Sequence, residues 1–258
     1  MEYPTRLRTL RTAGANWRGA HRVASGGRFD GLGLSVLPAG GLSDPDTIID
    51  VGANLGWWSR SILEISAPKR LVAFEPVPEM AQQCRDLLAP WRAARVVEAA
   101  CAATGGHSEF AVAAAHQASS LLSPDADAAV RNRGLKTDHW VDVKVVALDD
   151  VVDPSWRVRL LKIDVQGAEL SVLSGATRTL RQTDYVLIEV NFTSEYVGGS
   201  TFPEVNEVLN NQRFELIDLS RPMRIDGRAV SADAVYRPRR DLAVANPSLR
   251  PDGPNWRA

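Results

Sequence analysis

Short apolar runs alternating with helical stretches predict an α/β fold, a mostly parallel sheet covered by helices on both faces. Thr47-Ile-Ile-Asp-Val51, Arg70-Leu-Val-Ala-Phe-Glu75 and Arg159-Leu-Leu-Lys-Ile-Asp164 are brief, apolar and bounded by turn formers. Helix-compatible stretches lie between such runs, as parallel strands require. Of 258 residues, 45% are hydrophobic and 24% charged, an ordinary globular composition that excludes wholesale disorder and fibrous repeats.

The elements follow in order. A first strand over 47–51 leads to a helix over 54–66, stopped by Pro68. A second strand covers 70–75 and a helix 78–89; a third strand covers 95–98. A fourth strand, 159–164, precedes one helix over roughly 167–181. A fifth covers 184–190, a helix 203–211, then strands at 214–218 and 234–236. Residues 104–150 interrupt the rhythm and read as an insertion near the site, with a possible strand pair at 107–112 and 142–147. This divides the chain into an Arg-rich helix and glycine-rich lead-in over 1–46, a main domain over 47–236, and a proline-rich tail over 237–258.

Charge is uneven. Residues 1–31 carry six Arg against two acids, and 221–258 eight Arg against four. With a whole-chain net charge of −1, the middle is then −1 − 4 − 4 = −9. A body this acidic argues against nucleic acid as partner. The basic ends read as solvated faces, lids or a packing arm, and the first of them suits packing on a second copy of the chain. No apolar run is long enough to span a membrane, and the N-terminus lacks the apolar stretch of a signal peptide. Two cysteines, Cys84 and Cys101, make neither a disulfide framework nor a metal-ligand spacing. A reducing, cytoplasmic setting is the expectation.

The first strand ends in Asp50-Val-Gly52-Ala53-Asn54-Leu-Gly56. Ligands of such sheets bind beyond the carboxyl ends of the strands. Gly52 and Gly56 permit a tight turn and close backbone approach, Asn54 is a good N-cap, and the helix N-terminus offers unpaired N–H groups to a carboxylate. The spacing is not the G-x-G-x-x-G of dinucleotide sites. The second strand ends in Phe74-Glu75-Pro76, 25 residues after Asp50. An acid there can accept both ribose hydroxyls of a nucleoside.

Asp50–Ser59, Ala73–Pro76, Leu161-Lys-Ile-Asp-Val-Gln-Gly-Ala-Glu169 and Leu187-Ile-Glu189 together resemble the FkbM family of methyltransferases. Glu98–Ala102 with Gly105-Gly106, Ser119-Ser120-Leu121 and Val145–Asp149 resemble further motifs of that family in the same order. The resemblance covers about 47–191, with weaker agreement to 236. It implies a Rossmann-like class I fold with a seven-stranded sheet whose last strand is antiparallel. It also implies S-adenosyl-L-methionine as cofactor and methylation of hydroxyl groups on sugars or polyketide-type natural products. By resemblance Asp50, Gly52, Ala53, Asn54, Gly56 and Ser59 surround the methionine end, Glu75 with Pro76 holds the ribose, and Ala100 and Cys101 lie along the adenine. Trp57 and Trp58 depart from the residues expected after the loop; packing under the cofactor and packing in the core weigh equally.

A hydroxyl acceptor is a weak acid, so methyl transfer needs help in removing its proton. Asp164 and Glu189 end the fourth and fifth strands and are the carboxylate candidates for catalysis. Asp164 also flanks the cofactor methyl. Lys162 shares the Asp164 face by period-two alternation and can neutralise it. Glu169 falls in a first helical turn and reads as structural. Among His21, His107, His116 and His139, His116 is best placed as a base, just before Ser119-Ser120. No metal is expected; if one binds, Mg²⁺ held by Asp164, Glu189 and Asn191 is the candidate. An N- or C-methyltransferase of similar fold and a non-catalytic cofactor-binding scaffold are the alternatives.

Overall fold

The computed structural model describes Leu42 and residues 45–239. The Arg-rich helix, nearly all of the lead-in, His21 and all but the first residues of the proline-rich tail lie outside the described residues.

The chain opens with β1 (Thr47–Val51), α1 (Trp57–Ile65), β2 (Arg70–Phe74), α2 (Pro78–Leu88) and β3 (Ala94–Val97). Then come β4 (Ala100–Cys101), β5 (Gly106–Ala113), α3 (Ala126–Arg131), β6 (Thr137–Val146) and α4 (Leu148–Val151). The second half holds β7 (Val158–Ile163), α5 (Glu169–Ser174), α6 (Thr177–Arg181), β8 (Val186–Asn191), α7 (Phe202–Asn211), β9 (Phe214–Leu219), β10 (Met223–Ile225) and β11 (Arg228–Pro238).

The main sheet has the order β3-β2-β1-β7-β8-β11, with β9 and β10 both pairing with β11. Strands β3, β2, β1, β7 and β8 are mutually parallel, and β11 runs antiparallel to β8 and β9. The chain order reverses between β1 and β7, so the two crossovers leave a crevice at the carboxyl ends of those strands. Neighbouring residues in the strands face opposite layers. Ile49, Val72, Leu161 and Ile188 pack with the core under α5 to α7. Their neighbours Ile48, Leu71, Leu160 and Leu187 pack with Trp58, Ile62, Cys84 and Leu88 of α1 and α2. Doubly apolar pairs are what a sheet buried on both faces demands.

Three expectations are corrected. The sheet has eight strands rather than seven. The extra one, β10, joins β11 in a hairpin whose turn is Asp226-Gly227, with φ of 48° and 78°. Two consecutive positive φ values match the right-handed twist of the flanking strands. The single helix expected over 167–181 is two, α5 and α6. The break is at Gly175, where a Cβ would stand 2.1 Å from the Ala102 carbonyl oxygen. The helix expected from residue 54 starts at Trp57, behind Gly56 at the N-cap position with φ 82°.

Residues 104–150 form most of a separate three-stranded sheet, β4-β6-β5, in which β5 and β6 pair antiparallel. Phe110, Val112, Val143 and Val145 from its inner face pack on Val77 and Met80 at the start of α2. This seats the second sheet beside the carboxyl end of β2. Among the described residues no helix is long and apolar enough to cross a membrane.

Candidate active site

The floor of the site is the turn after β1. Gly52 has φ 81°, and a Cβ there would meet the Asp164 carbonyl oxygen at 1.8 Å. Only glycine lets this turn lie against the end of β7. The N–H groups of Gly52 and Ala53 both donate to the Phe74 carbonyl, at 3.1 and 2.9 Å, locking the turn to β2. Gly56 allows α2 to approach, since its Cβ would stand 2.7 Å from Cys84 Sγ.

Asn54 does not cap the helix. Its φ of 50° turns it away from α1, its N–H donates to Glu75 Oε2 at 2.8 Å, and its Nδ2 donates to the His116 carbonyl at 3.1 Å.

Asp50 and Ser59 lie behind the turn and do not line the open space. Asp50 is fully buried; it accepts a 2.6 Å bond from Ser59 Oγ and pairs with Lys162 Nζ at 3.1 Å. The Lys162 ammonium also reaches Asp164 Oδ2 at 3.4 Å and lies 5.5 Å from the Trp58 ring centroid. Burial opposes its charge, but Asp50 and Asp164 outweigh burial and hold it above the usual lysine range. Trp58 is a buried core residue and Trp57 is half-exposed beside Arg60. Neither lines the cleft.

An open cleft lies above this turn. Gly52, Asn54, Glu75, Pro76, Ala100, Cys101, Asp164 and His116 all line it. Glu75 is buried at the end of β2, with Oε1 accepting from Val77 N at 2.9 Å and Oε2 from Asn54 N. Burial pushes its carboxyl up to about 7, although the bonds from Val77 and Asn54 pull the other way. Each oxygen retains acceptor capacity toward the cleft. Phe74, Met80, Phe110 and Leu121 make an apolar wall nearby.

The opposite wall is assembled from distant segments. Asp164 follows β7, and its Oδ1 accepts from Gln166 Nε2 at 2.9 Å. The same amide nitrogen donates to Glu189 Oε2 at 2.7 Å. Glu189 sits on β8 directly across from Asp233 on β11. Burial, then Asp164, Glu169 and Asp233, hold the Glu189 carboxyl well above the usual range. Burial and Asp164 push Asp233 up to about 7. Glu189 and Asn191 do not line the cleft; Glu189 reaches it only through Gln166. Glu169 is buried, braces the loop by accepting from Gly167 N at 3.0 Å, and is bonded by the Ser200 hydroxyl.

His116 opens a short 3₁₀ turn, His116–Ala118, that lines the cleft as a strap between β5 and β6. Asn54 holds the strap at the His116 carbonyl. Tyr196, buried, donates its hydroxyl to the Ala118 carbonyl at 2.8 Å. Ser120 Oγ donates to the Gln166 carbonyl at 2.8 Å. His107 and His139 are exposed on the second sheet, each beside an aspartate, away from the cleft.

Among the described residues, no three of His, Cys, Asp and Glu are gathered to hold a metal ion. Between Asp164 and Glu189, where a shared cation would sit, stands the hydrogen-bond donor of Gln166. That donor set does not fit Mg²⁺.

Residues 50–216 match the family described as the methyltransferase FkbM domain. The chain belongs to the FkbM methyltransferase family. This methyltransferase is 27% identical over 185 residues to the 2-O-methyltransferase NoeI of Sinorhizobium fredii, covering 68% of this chain and 75% of NoeI. It is 25% identical over 198 residues to the methyltransferase sdnD of Sordaria araneosa, covering 66% of this chain and 73% of that one. Among solved structures, Sp1610 of Streptococcus pneumoniae bound to S-adenosyl-L-methionine has a TM-score of 0.50 at 11% identity, covering 82% of this chain and 72% of that one. The last likeness shows the fold, that of class I methyltransferases.

S-adenosyl-L-methionine is the cofactor, and the cleft fits it. The bare backbone at Gly52, the buried Glu75 acceptor and the adjacent apolar wall suit the polar and aromatic parts of a nucleoside.

Sequence reasoning missed Gln166, Tyr196 and Asp233 as parts of this FkbM site. Gln166 stood inside a recognised motif but was given no task. Tyr196 and Asp233 carry no local signal, because only the tertiary fold brings them to Asp164. The Asp226-Gly227 turn signal, read as a hairpin, would have extended the last strand back to Arg228 and included Asp233.

Proposed function

We propose that this protein transfers the methyl group of S-adenosyl-L-methionine to a hydroxyl of a small or glycosylated natural product, of sugar or polyketide type. The observation that carries this reading is that the cleft holding Glu75 also holds two proton acceptors, Asp164 and His116. Glu75 accepts the ribose hydroxyls, Gly52 and Asn54 border the methionine end, and Ala100 with Cys101 lies along the adenine. The bound cofactor supplies an electrophilic methyl on a sulfonium. Asp164 accepts a hydrogen bond from a hydroxyl beside the reacting one and so turns the reacting oxygen toward that methyl. His116, on the strap, takes the proton as the C–O bond forms, which needs no metal ion. Glu189 supports Asp164 through Gln166. The naming of NoeI as a 2-O-methyltransferase agrees with a hydroxyl target. The −9 charge of residues 32–220 favours a neutral or cationic acceptor.

The test is release of S-adenosylhomocysteine over a panel of methyl glycosides, polyols, phenols and matching amines. Turnover on hydroxylated members is expected, falling about 100-fold or more in Asp164→Asn and His116→Ala. Transfer to the amines alone, or full turnover in both variants, would sink the assignment.

A further inference from the structure

We propose that Gln166 is the positioning residue for Asp164, aiming its carboxylate at the methyl-bearing end of the cofactor. The inference rests on the reading of Asp164 given above and adds how that carboxylate is held.

Gln166 occupies an unfavourable backbone state, with φ 56°. A long polar residue in the left-handed region persists only where its surroundings over-determine it. Here they do. Its carbonyl accepts Ser120 Oγ. The two acids within reach of its amide both need a donor, which sets Nε2 toward them, while Oε1 stands 3.3 Å from the Tyr196 hydroxyl, whose single hydrogen is on the Ala118 carbonyl. The two hydrogens of Nε2 then serve Asp164 Oδ1 and Glu189 Oε2, one each.

Asp164 needs such a clamp because little else fixes it. Its side chain is 37% exposed, and Lys162, its cationic partner, is 3.4 Å away and closer to Asp50. The other charged groups around it repel it or are committed elsewhere. Glu189 on β8 and Asp233 on β11 are acids in the same row. Glu169 on α5 is engaged by Ser200 and the loop amides. His116 faces the cleft from the strap, and Tyr196 donates its hydroxyl to the Ala118 carbonyl. Without the amide, Asp164 and Glu189 would confront each other with no donor between them. One would take up a proton or swing away. The carboxylate facing the cleft would then lose its aim.

Two cofactor analogues read that aim without an acceptor. Sinefungin has an ammonium-bearing carbon where the cofactor has its methylated sulfonium, and S-adenosylhomocysteine has a neutral thioether. An aimed Asp164 carboxylate favours sinefungin by about tenfold, the worth of one charge-assisted hydrogen bond. The ratio of the two dissociation constants, taken within each variant by isothermal titration, cancels general damage to the cleft. Gln166→Met keeps the volume and removes the amide; Gln166→Leu replaces it if the first does not fold. The preference is expected to vanish in Asp164→Asn, to fall to about twofold or less in Gln166→Met, and to fall no further in the double variant than in Asp164→Asn alone. No preference in the wild type, or a preference surviving Asp164→Asn, overturns the reading of Asp164 and this inference with it. A full preference in Gln166→Met beside its loss in Asp164→Asn overturns this inference alone.

Discussion

The two walls of the cleft are built differently. The wall at the ends of β1 and β2 is main chain: Gly52, Ala53 and Asn54 are held by backbone N–H groups to Phe74 and Glu75. Its members lie within one β-α-β stretch. The facing wall is side chain: Asp164 and Gln166 line it, and Glu189, Tyr196, Ser120 and Asp233 back them, from five separate segments in all. Backbone geometry tolerates little change at a glycine, whereas a side-chain network can lose one member and keep its outline. The first wall should therefore fail abruptly under mutation and the second by degrees.

The sharpest way to break this contrast is Gly52→Ala. Positive φ and a 1.8 Å approach to Asp164 O leave no room for a methyl. Loss beyond ~4 kcal/mol of stability is expected, seen as failure to fold or to bind S-adenosylhomocysteine. A normally folded, binding variant would show the turn to be pliable. Next is Lys162→Met, which strands Asp50 as a fully buried charge. A cost of ~3–5 kcal/mol is expected in urea denaturation, and a cost under ~1 kcal/mol would mean that Ser59 alone satisfies Asp50.

Glu75→Gln leaves the shape and removes the charge. Roughly 10- to 100-fold weaker binding of S-adenosylhomocysteine is expected. The pH dependence sharpens the point. Glu75 and Asp233 both titrate near 7 when folded, above their ordinary 4.5 and 3.8. The folded protein therefore binds more protons than the unfolded chain between those values, and the free protein should lose stability as pH rises from ~5 to ~7. Cofactor affinity should rise over the same upper range, as Glu75 ionises to accept the ribose. Melting curves and titrations at pH 6 and 8 check both signs; Glu75→Gln should flatten the affinity profile and lessen the stability slope, of which Asp233 keeps its share. The mildest change is Tyr196→Phe, on the side-chain wall. About 1 kcal/mol of stability should be lost, with cofactor affinity nearly unchanged; a loss as large as that of Lys162→Met would erase the distinction between the walls.

The same contrast decides what the sequence could tell. Strands β1, β2, β7 and β8 were legible because each carries adjacent apolar pairs, such as Leu160-Leu161 and Leu187-Ile188, buried on both faces, whereas the exposed β10 carries no such pair. The turn after β1 and Glu75 were legible because glycine spacing and a strand-end acid lie close together in the chain. The break between α5 and α6 was hidden, since what forbids a Cβ at Gly175 is Ala102, far away in sequence. The task of Asn54 was hidden for a similar reason: a residue that reads as a cap is turned by its positive φ toward Glu75 and His116. Gln166 and Tyr196 act only through partners that the fold delivers.

The strap over the cleft belongs to a small sheet of its own, β4-β6-β5, outside the hydrogen-bond ladder of the main sheet. Its loops can therefore be exchanged wholesale without unpairing a strand of the cofactor platform. A lineage could re-cut the mouth of this enzyme for a new acceptor by grafting there, so long as the graft still offers carbonyls to Asn54 and Tyr196, a base in the place of His116 and a hydroxyl in that of Ser120.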